Sequence, residues 1–173
     1  MNHPCHTLAL SPSATASLLA RAPDLPRSRD DVRLQRLWLA TQRRSWRSIA
    51  VLGGSRSLDT LPIADLFARL AWRYRGQPSC VLDLRDVSLS LVEHHMRDAR
   101  HRVDEGSSVV IALRSIVENP AAAPIARSAD AVIFCVGLGA TDFRSLESAL
   151  SEIGSERVLG SIAIRGRTRR AEP

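Results

Sequence analysis

The stretch Ser48–Ala71, SIAVLGGSRSLDTLPIADLFARLA, decides the fold. Its opening run SIAVL reads as a buried strand, followed by a loop carrying Gly53 and Gly54. From Leu61 onward Ile63, Leu66, Phe67, Leu70, Ala71 and Tyr74 recur at alternating spacings of three and one, a wide apolar stripe on one helix face. Pro62 falls in the first turn, where no backbone N–H is needed, and Gly76 ends the helix after Arg75. A strand, a glycine-bearing loop and an amphipathic helix in that order is the layout with which α/β proteins direct backbone amides at a phosphate.

The same alternation continues down the chain. CVLDL, SVVIAL, AVIFCV and VLGSIAI are short apolar strands, and between them lie helical patterns. One helix is expected over Ser90–Glu105, opened by a Ser90/Glu93 capping box, with Leu89, Val92, Met96, Ala99 and Val103 inward. Another carries Leu146, Ala149, Leu150 and Ile153 behind a cap at Thr141 or Asp142. Upstream, Asp30–Arg43 forms a helix with Val32, Leu34, Leu37, Trp38 and Thr41 near one face. Continuously apolar strands alternating with helices predict an α/β fold, a doubly wound, mostly parallel sheet with helices on both faces. Residues 1–27, rich in Pro, Ser and Ala, are expected as a disordered tail, 28–165 as a single domain and 166–173 as a basic tail.

All 24 basic residues of the 173 are arginine, and the net charge is +6. Without lysine, Schiff-base chemistry, a lysine general base and a P-loop lysine are excluded. Cys5, Cys80 and Cys135 are scattered and fit neither a disulfide framework nor a zinc site. His94, His95 and His101 lie on or near one helix, and His94 and His101 are seven apart where metal ligands stand four apart, so all three read as solvated. No apolar run approaches the roughly 18 residues of a membrane span. The N-terminal residues lack a basic n-region and Pro12 interrupts their apolar run, so a cytoplasmic location is expected.

In such sheets ligands bind outside the carboxyl ends of the strands. The loop GGSRSLDTLP offers Gly53, Gly54 and Thr60 but places Leu58 and Asp59 near the phosphate position, and an aspartate there repels a polyanion. Asp83 ends the second strand, followed by Arg85 and Asp86, and serves either as a carboxylate for a metal-bound water or as a cap for its loop. VVIALRS has no acid where a magnesium-orienting aspartate belongs.

From Asp30 to about Arg165 the chain resembles the cytoplasmic domain of bacterial tyrosine kinases of the capsular exopolysaccharide type, relatives of the ParA/MinD P-loop ATPases. Asp30, Arg33 and Arg36 stand at the spacing of the family's E-x-x-R-x-x-R subunit-contact motif, with Asp for Glu. SIAVLGGSRSLDTLPIADLFARLA looks like its Walker A segment, CVLDLR its D-x-D strand with Arg85 in place of the second acid, and SSVVIALRS its Walker B strand with Ala112 in place of the acid. SADAVIFCVGLGATDFRSLESALSEIGSERVLGSIAI is the closest match. The tyrosine-rich tail is missing too, since Tyr74 is the only tyrosine and falls in an apolar stripe.

The resemblance implies a catalytically inactive relative that acts as an interaction partner in exopolysaccharide or capsule synthesis and export. Its partner would be a membrane-anchored chain-length or copolymerase protein or a further copy of itself. Gly53, Gly54, Thr60 and Asp83 are then relics of the nucleotide loops, and Asp30, Arg33 and Arg36 the candidate subunit interface. No catalytic residue, metal ligand or cofactor is expected, ATP and magnesium included. One alternative is a ParA/MinD-like positioning or nucleic-acid-binding protein using Arg165, Arg167, Arg169 and Arg170, a tail that could also meet anionic lipid. Another is an ATPase or kinase with Arg56, Arg85 or Arg114 on the phosphates. VLDLRDVSLS is also similar to the anti-sigma-factor antagonist domain, a small α/β regulator.

Overall fold

In a computed structural model, residues 6–7, 29–55, 58–139 and 141–165 are described. Helix α1 (Arg29–Thr41) leads into β2 (Ser48–Gly53), α2 (Leu61–Arg75), β3 (Ser79–Asp83) and α3 (Val92–Asp104). β4 (Ser108–Leu113), α4 (Ala122–Ser128), β5 (Ala131–Leu138), α5 (Phe143–Ile153) and β6 (Val158–Arg165) complete the run. β2 to β6 pair in parallel, so the doubly wound α/β architecture is as the alternation predicts. Within the expected N-terminal tail, β1 (His6–Thr7) pairs antiparallel with β3, opposite Val81 and Cys80. The rest of that tail and residues 166–173 lie outside the described residues.

The sheet order is β1-β3-β4-β2-β5-β6, with the strand before the glycine loop at the centre. This differs from both the Rossmann and the flavodoxin-like orders. Alternation along each strand divides the core into two layers. Ile49, Val51, Val110, Ala112, Ile133 and Cys135 face α1 and α2, where Trp38, Trp46, Phe67 and Leu70 are buried. Ala50, Leu52, Val109, Ile111, Val132 and Phe134 face α3, α4 and α5. The second layer is rich in alanine (Ala122, Ala123, Ala126, Ala149), which lets short helices lie close to the strands.

α2 has the bounds read from the sequence, with Pro at its start and Gly76 as a left-handed C-cap at φ 65°. Tyr74 is not within the core: it is 37% exposed and stacks on Trp38 at 5.5 Å, because α1 covers only one side of the helix end. Arg75 fastens this corner. Its guanidinium lies 4.0 Å from the Trp46 ring centroid and Nη1 donates to the Trp46 carbonyl at 2.6 Å. Burial, and then nearby Arg47, lower its pKa. α1 ends two residues short of Arg43, and Val32, read near one face with Leu34, Leu37, Trp38 and Thr41, is 49% exposed, whereas Trp38 and Thr41 are buried.

The capping box at Ser90/Glu93 does not form. Leu89–Leu91 make a 3₁₀ turn, leaving Leu91 at the N-cap of α3 with no side-chain cap, while Ser90 Oγ lies 3.0 Å from Ser88 Oγ. The tighter turn also rotates Leu89 outward, 70% exposed. α5 is capped by Asp142, whose carboxylate accepts from the Ser145 amide.

Asp130, just before β5, clamps the starts of two strands. Its Oδ2 accepts the amides of Arg47 and Ser48, both at 2.8 Å, and its own amide donates to Ser48 Oγ. Burial alone raises the carboxyl pKa, but these hydrogen bonds outweigh it and the net shift is downward. Asp130→Ala should therefore cost about 0.5–1.5 kcal/mol in denaturant unfolding, the net worth of hydrogen bonds whose exposed amides water can reach once the carboxylate is gone. Because the folded pKa lies below the unfolded value near 3.9, the contribution is present above that value and lost as pH falls through the folded pKa. The alanine variant should lack this part of the acid dependence.

Candidate functional site

β2 sends the chain into the α1–α2 layer, whereas β4 and β5 send it into the other layer. Their carboxyl ends part at the position where open α/β sheets hold ligands. The loops that meet there carry the residues singled out from the sequence, but engaged with one another.

The glycine loop is tied to the sheet. The Gly54 amide donates to the Cys135 carbonyl on β5 at 2.8 Å. A Cβ on Gly54 would stand 2.9 Å from Thr141 Cγ2 and 3.0 Å from that carbonyl, so this glycine is required by the close approach of β5. Gly53 has no such constraint, its nearest neighbours lying at 3.5 Å. Thr60 is fully buried, and its Oγ1 donates to the Leu113 carbonyl at the end of β4 at 2.9 Å. That hydroxyl pins the start of α2 to the sheet and does not face the crevice. Arg56 lies outside the described residues.

Arg85 takes the central place. Nε and Nη2 each reach the Asp83 carboxylate at 2.7 Å, and Nη1 reaches Asp59 Oδ1 at 2.7 Å. The hydrogen bonds to Asp83 hold the guanidinium above the usual arginine range despite partial burial, with the charges of Asp83, Asp59 and Asp86 adding to the effect. Asp59 also accepts the Leu61 amide. Arg114, following β4, pairs with Asp86 at 2.8 and 3.3 Å and approaches Glu118 at 3.5 Å. Its pKa too is raised, first by hydrogen bonding to Asp86. Asn119 knits the loops after β3 and β4, its Nδ2 donating to the carbonyls of Arg85 and Val87.

At this rim the described loops hold five carboxylates (Asp59, Asp83, Asp86, Glu118, Asp142) against two guanidiniums (Arg85, Arg114). Both guanidiniums are engaged by carboxylates. The space that remains is a pocket of about 160 Å³ lined by Asp83, Leu84, Asp86, Val87, Ser88, Leu91 and His95. A larger cleft of about 350 Å³ lies at the opposite, amino edge, among Arg44, Ser45, Asp130, Glu156 and Arg157. Among the described residues no group of three or more His, Cys, Asp or Glu is placed to hold a metal ion.

The remaining sequence candidates fall elsewhere. His94 and His101 are exposed on α3, with His101 Nε2 3.4 Å from Glu105, whereas His95, also expected in solvent, is half-buried against the small pocket because it lies on the side of α3 that faces the loop after β3. Cys80 and Cys135 are buried free thiols, and burial pushes that of Cys135 up to about 12. Arg33 and Arg36 project from the exposed side of α1, with the Asp30 side chain outside the described part. Sequence reading missed Asn119 and Asp130, whose partners lie 32–34 and 82–83 residues away. The only local signal was a polar residue next to a strand or a turn.

No protein-family model matches the chain, and no curated protein matches it. Among the described residues no helix is long and apolar enough to cross a membrane.

Proposed function

We propose that this protein is a non-catalytic relative of the P-loop ATPases of the bacterial tyrosine kinase type. It serves as an interaction partner in exopolysaccharide or capsule synthesis and export, docking on the cytoplasmic part of a membrane-anchored chain-length protein. The observation that carries this reading is the Asp83–Arg85–Asp59 clasp across the mouth of the crevice. A nucleotide would have to break it and then face carboxylates. Like unit charges about 4 Å apart repel by about 4 kcal/mol at an effective dielectric constant of about 20. Phosphoryl transfer is mostly positioning and charge neutralisation, and among the described residues the rim supplies little of either. The commitment of Arg85 and Arg114 to acids also weighs against an arginine-based phosphate site. The pathway and partner rest on the sequence resemblance and on Arg33 and Arg36 at the surface.

Titration calorimetry with ATP and magnesium should give no binding heat, and micromolar affinity would overturn the non-catalytic reading. Reversing Arg33 and Arg36 to Glu should abolish co-purification with the membrane-anchored partner while leaving the melting temperature within a few degrees, because both side chains are exposed. Retained co-purification would remove α1 from the interface.

A further inference from the structure

The two helical layers differ in charge. α3, α4 and α5 together hold five arginines against five carboxylates. α2 has Arg69, Arg73 and Arg75 against Asp65 alone. Its C-terminal end gathers more of the same charge. Arg75 Nη1 donates to the Trp46 carbonyl and Nη2 lies 3.5 Å from Gln42 Oε1, so the segment carrying Arg43, Arg44 and Arg47 adjoins the helix end. The amino-edge cleft among Arg44, Ser45, Asp130, Glu156 and Arg157 continues this surface. The described side chains at this corner are thus seven arginines, Arg157 included, against the carboxylates of Asp65, Asp130 and Glu156. Asp130 is moreover engaged by two backbone amides.

Aromatic side chains stand within that charge. Arg69, Trp72, Arg73 and Gly76 are three and four apart and all exposed, so they share the outward face of α2. Trp72 is 45% exposed, whereas Trp38 and Trp46 are buried. Gly76, one turn beyond Trp72, adds no side chain beside it, and nothing comes within 4 Å of where a Cβ there would stand. On the flank of this face the Arg73 guanidinium lies 5.5 Å from the Tyr74 ring centroid.

We infer that this face binds single-stranded nucleic acid, a base stacking on Trp72 while Arg69 and Arg73 take the flanking phosphates and Arg43, Arg44 and Arg47 continue the track. An exposed indole among guanidiniums is the combination that holds the bases and backbone of a single strand without reading its sequence. A duplex keeps its base faces within the stack and offers phosphates alone, as does an anionic lipid surface, so neither would use Trp72. The inference goes beyond the proposed function. It stands apart from the rim clasp and from Arg33 and Arg36, which none of the variants below alters.

Fluorescence anisotropy of labelled oligo-dT and oligo-rU should show saturable binding by the full chain, with log affinity falling linearly as log salt rises. Each phosphate contact contributes about 0.7 to that slope for a single strand, so Arg69→Gln/Arg73→Gln should reduce it by about 1.4. Trp72→Ala should weaken binding about ten-fold with the slope unchanged, the effect of one lost stack, and Trp72→Phe should restore most of it. The variants should keep the parent melting temperature, because the altered side chains are exposed. Binding of either oligonucleotide in this pattern supports the proposal, and the tighter of the two identifies the strand. No saturable binding at low salt, equal affinity for a duplex or for phosphatidylglycerol vesicles, or an affinity that Trp72→Ala leaves unchanged overturns it. Should a variant fail to fold, ultraviolet cross-linking of the parent chain decides: the adduct should fall on the peptide containing Trp72, and an adduct confined to any other peptide overturns the proposal.

Discussion

Phe134→Ala should lower the unfolding free energy by about 3–5 kcal/mol, the range for removing a large aromatic side chain from a packed core. Phe134 is 1% exposed on β5, within the layer that includes Ala122, Ala123, Ala126, Ala149 and Ile153. Alanines offer no side chain long enough to swing into the vacated space, so the cavity should persist and the cost should lie toward the upper end. A domain of this size is held by about 5–15 kcal/mol in total, and the variant should be marginal at physiological temperature. Urea unfolding followed by circular dichroism measures the change. A loss below about 1 kcal/mol would mean that the layer collapses around the gap.

The second large effect is a contrast between neighbours. Gly54→Ala should destabilise by about 1–3 kcal/mol, because its Cβ would meet Thr141 Cγ2 and the Cys135 carbonyl at 3.0 Å or less and β5 backbone must yield. Gly53→Ala should be close to neutral, since its Cβ would find only ordinary contacts. In a loop kept glycine-rich for a phosphate, both substitutions would impair binding more than folding. Paired melting curves, with and without nucleotide, separate the two accounts. Equal destabilisation by the two alanines would contradict the packing role of Gly54.

The elements were legible where a period repeats. The apolar stripe from Ile63 to Ala71 fixed α2 to the residue, and the runs SIAVL and SVVIAL gave strands because a sheet covered on both faces tolerates unbroken apolar sequence. The capping box failed because Ser90 and Glu93 have the spacing without the geometry: a 3₁₀ turn placed Leu91 at the helix start. Strand order was not legible, since alternation states that crossovers exist and not which neighbour they reach. The candidate site was legible in its inventory and not in its pairing. Gly53, Gly54, Thr60 and Asp83 were all named, yet the partner of Asp59 is 26 residues away and that of Thr60 is 53. Such contacts follow from which strand ends converge, and so does the role of Gly54, whose neighbour Thr141 comes after three intervening strands.

The two core layers are also spectroscopically unequal. All three tryptophans, Trp38, Trp46 and Trp72, and the sole tyrosine belong to α1, α2 or the segment joining α1 to β2, while the opposite layer rests on aliphatic side chains and Phe134. Intrinsic fluorescence therefore watches half of the molecule, whereas far-ultraviolet dichroism watches all of it. Superimposable transitions from the two probes would mark the layers as one cooperative unit, and divergent ones would mean that the aliphatic side can come apart without any change in emission.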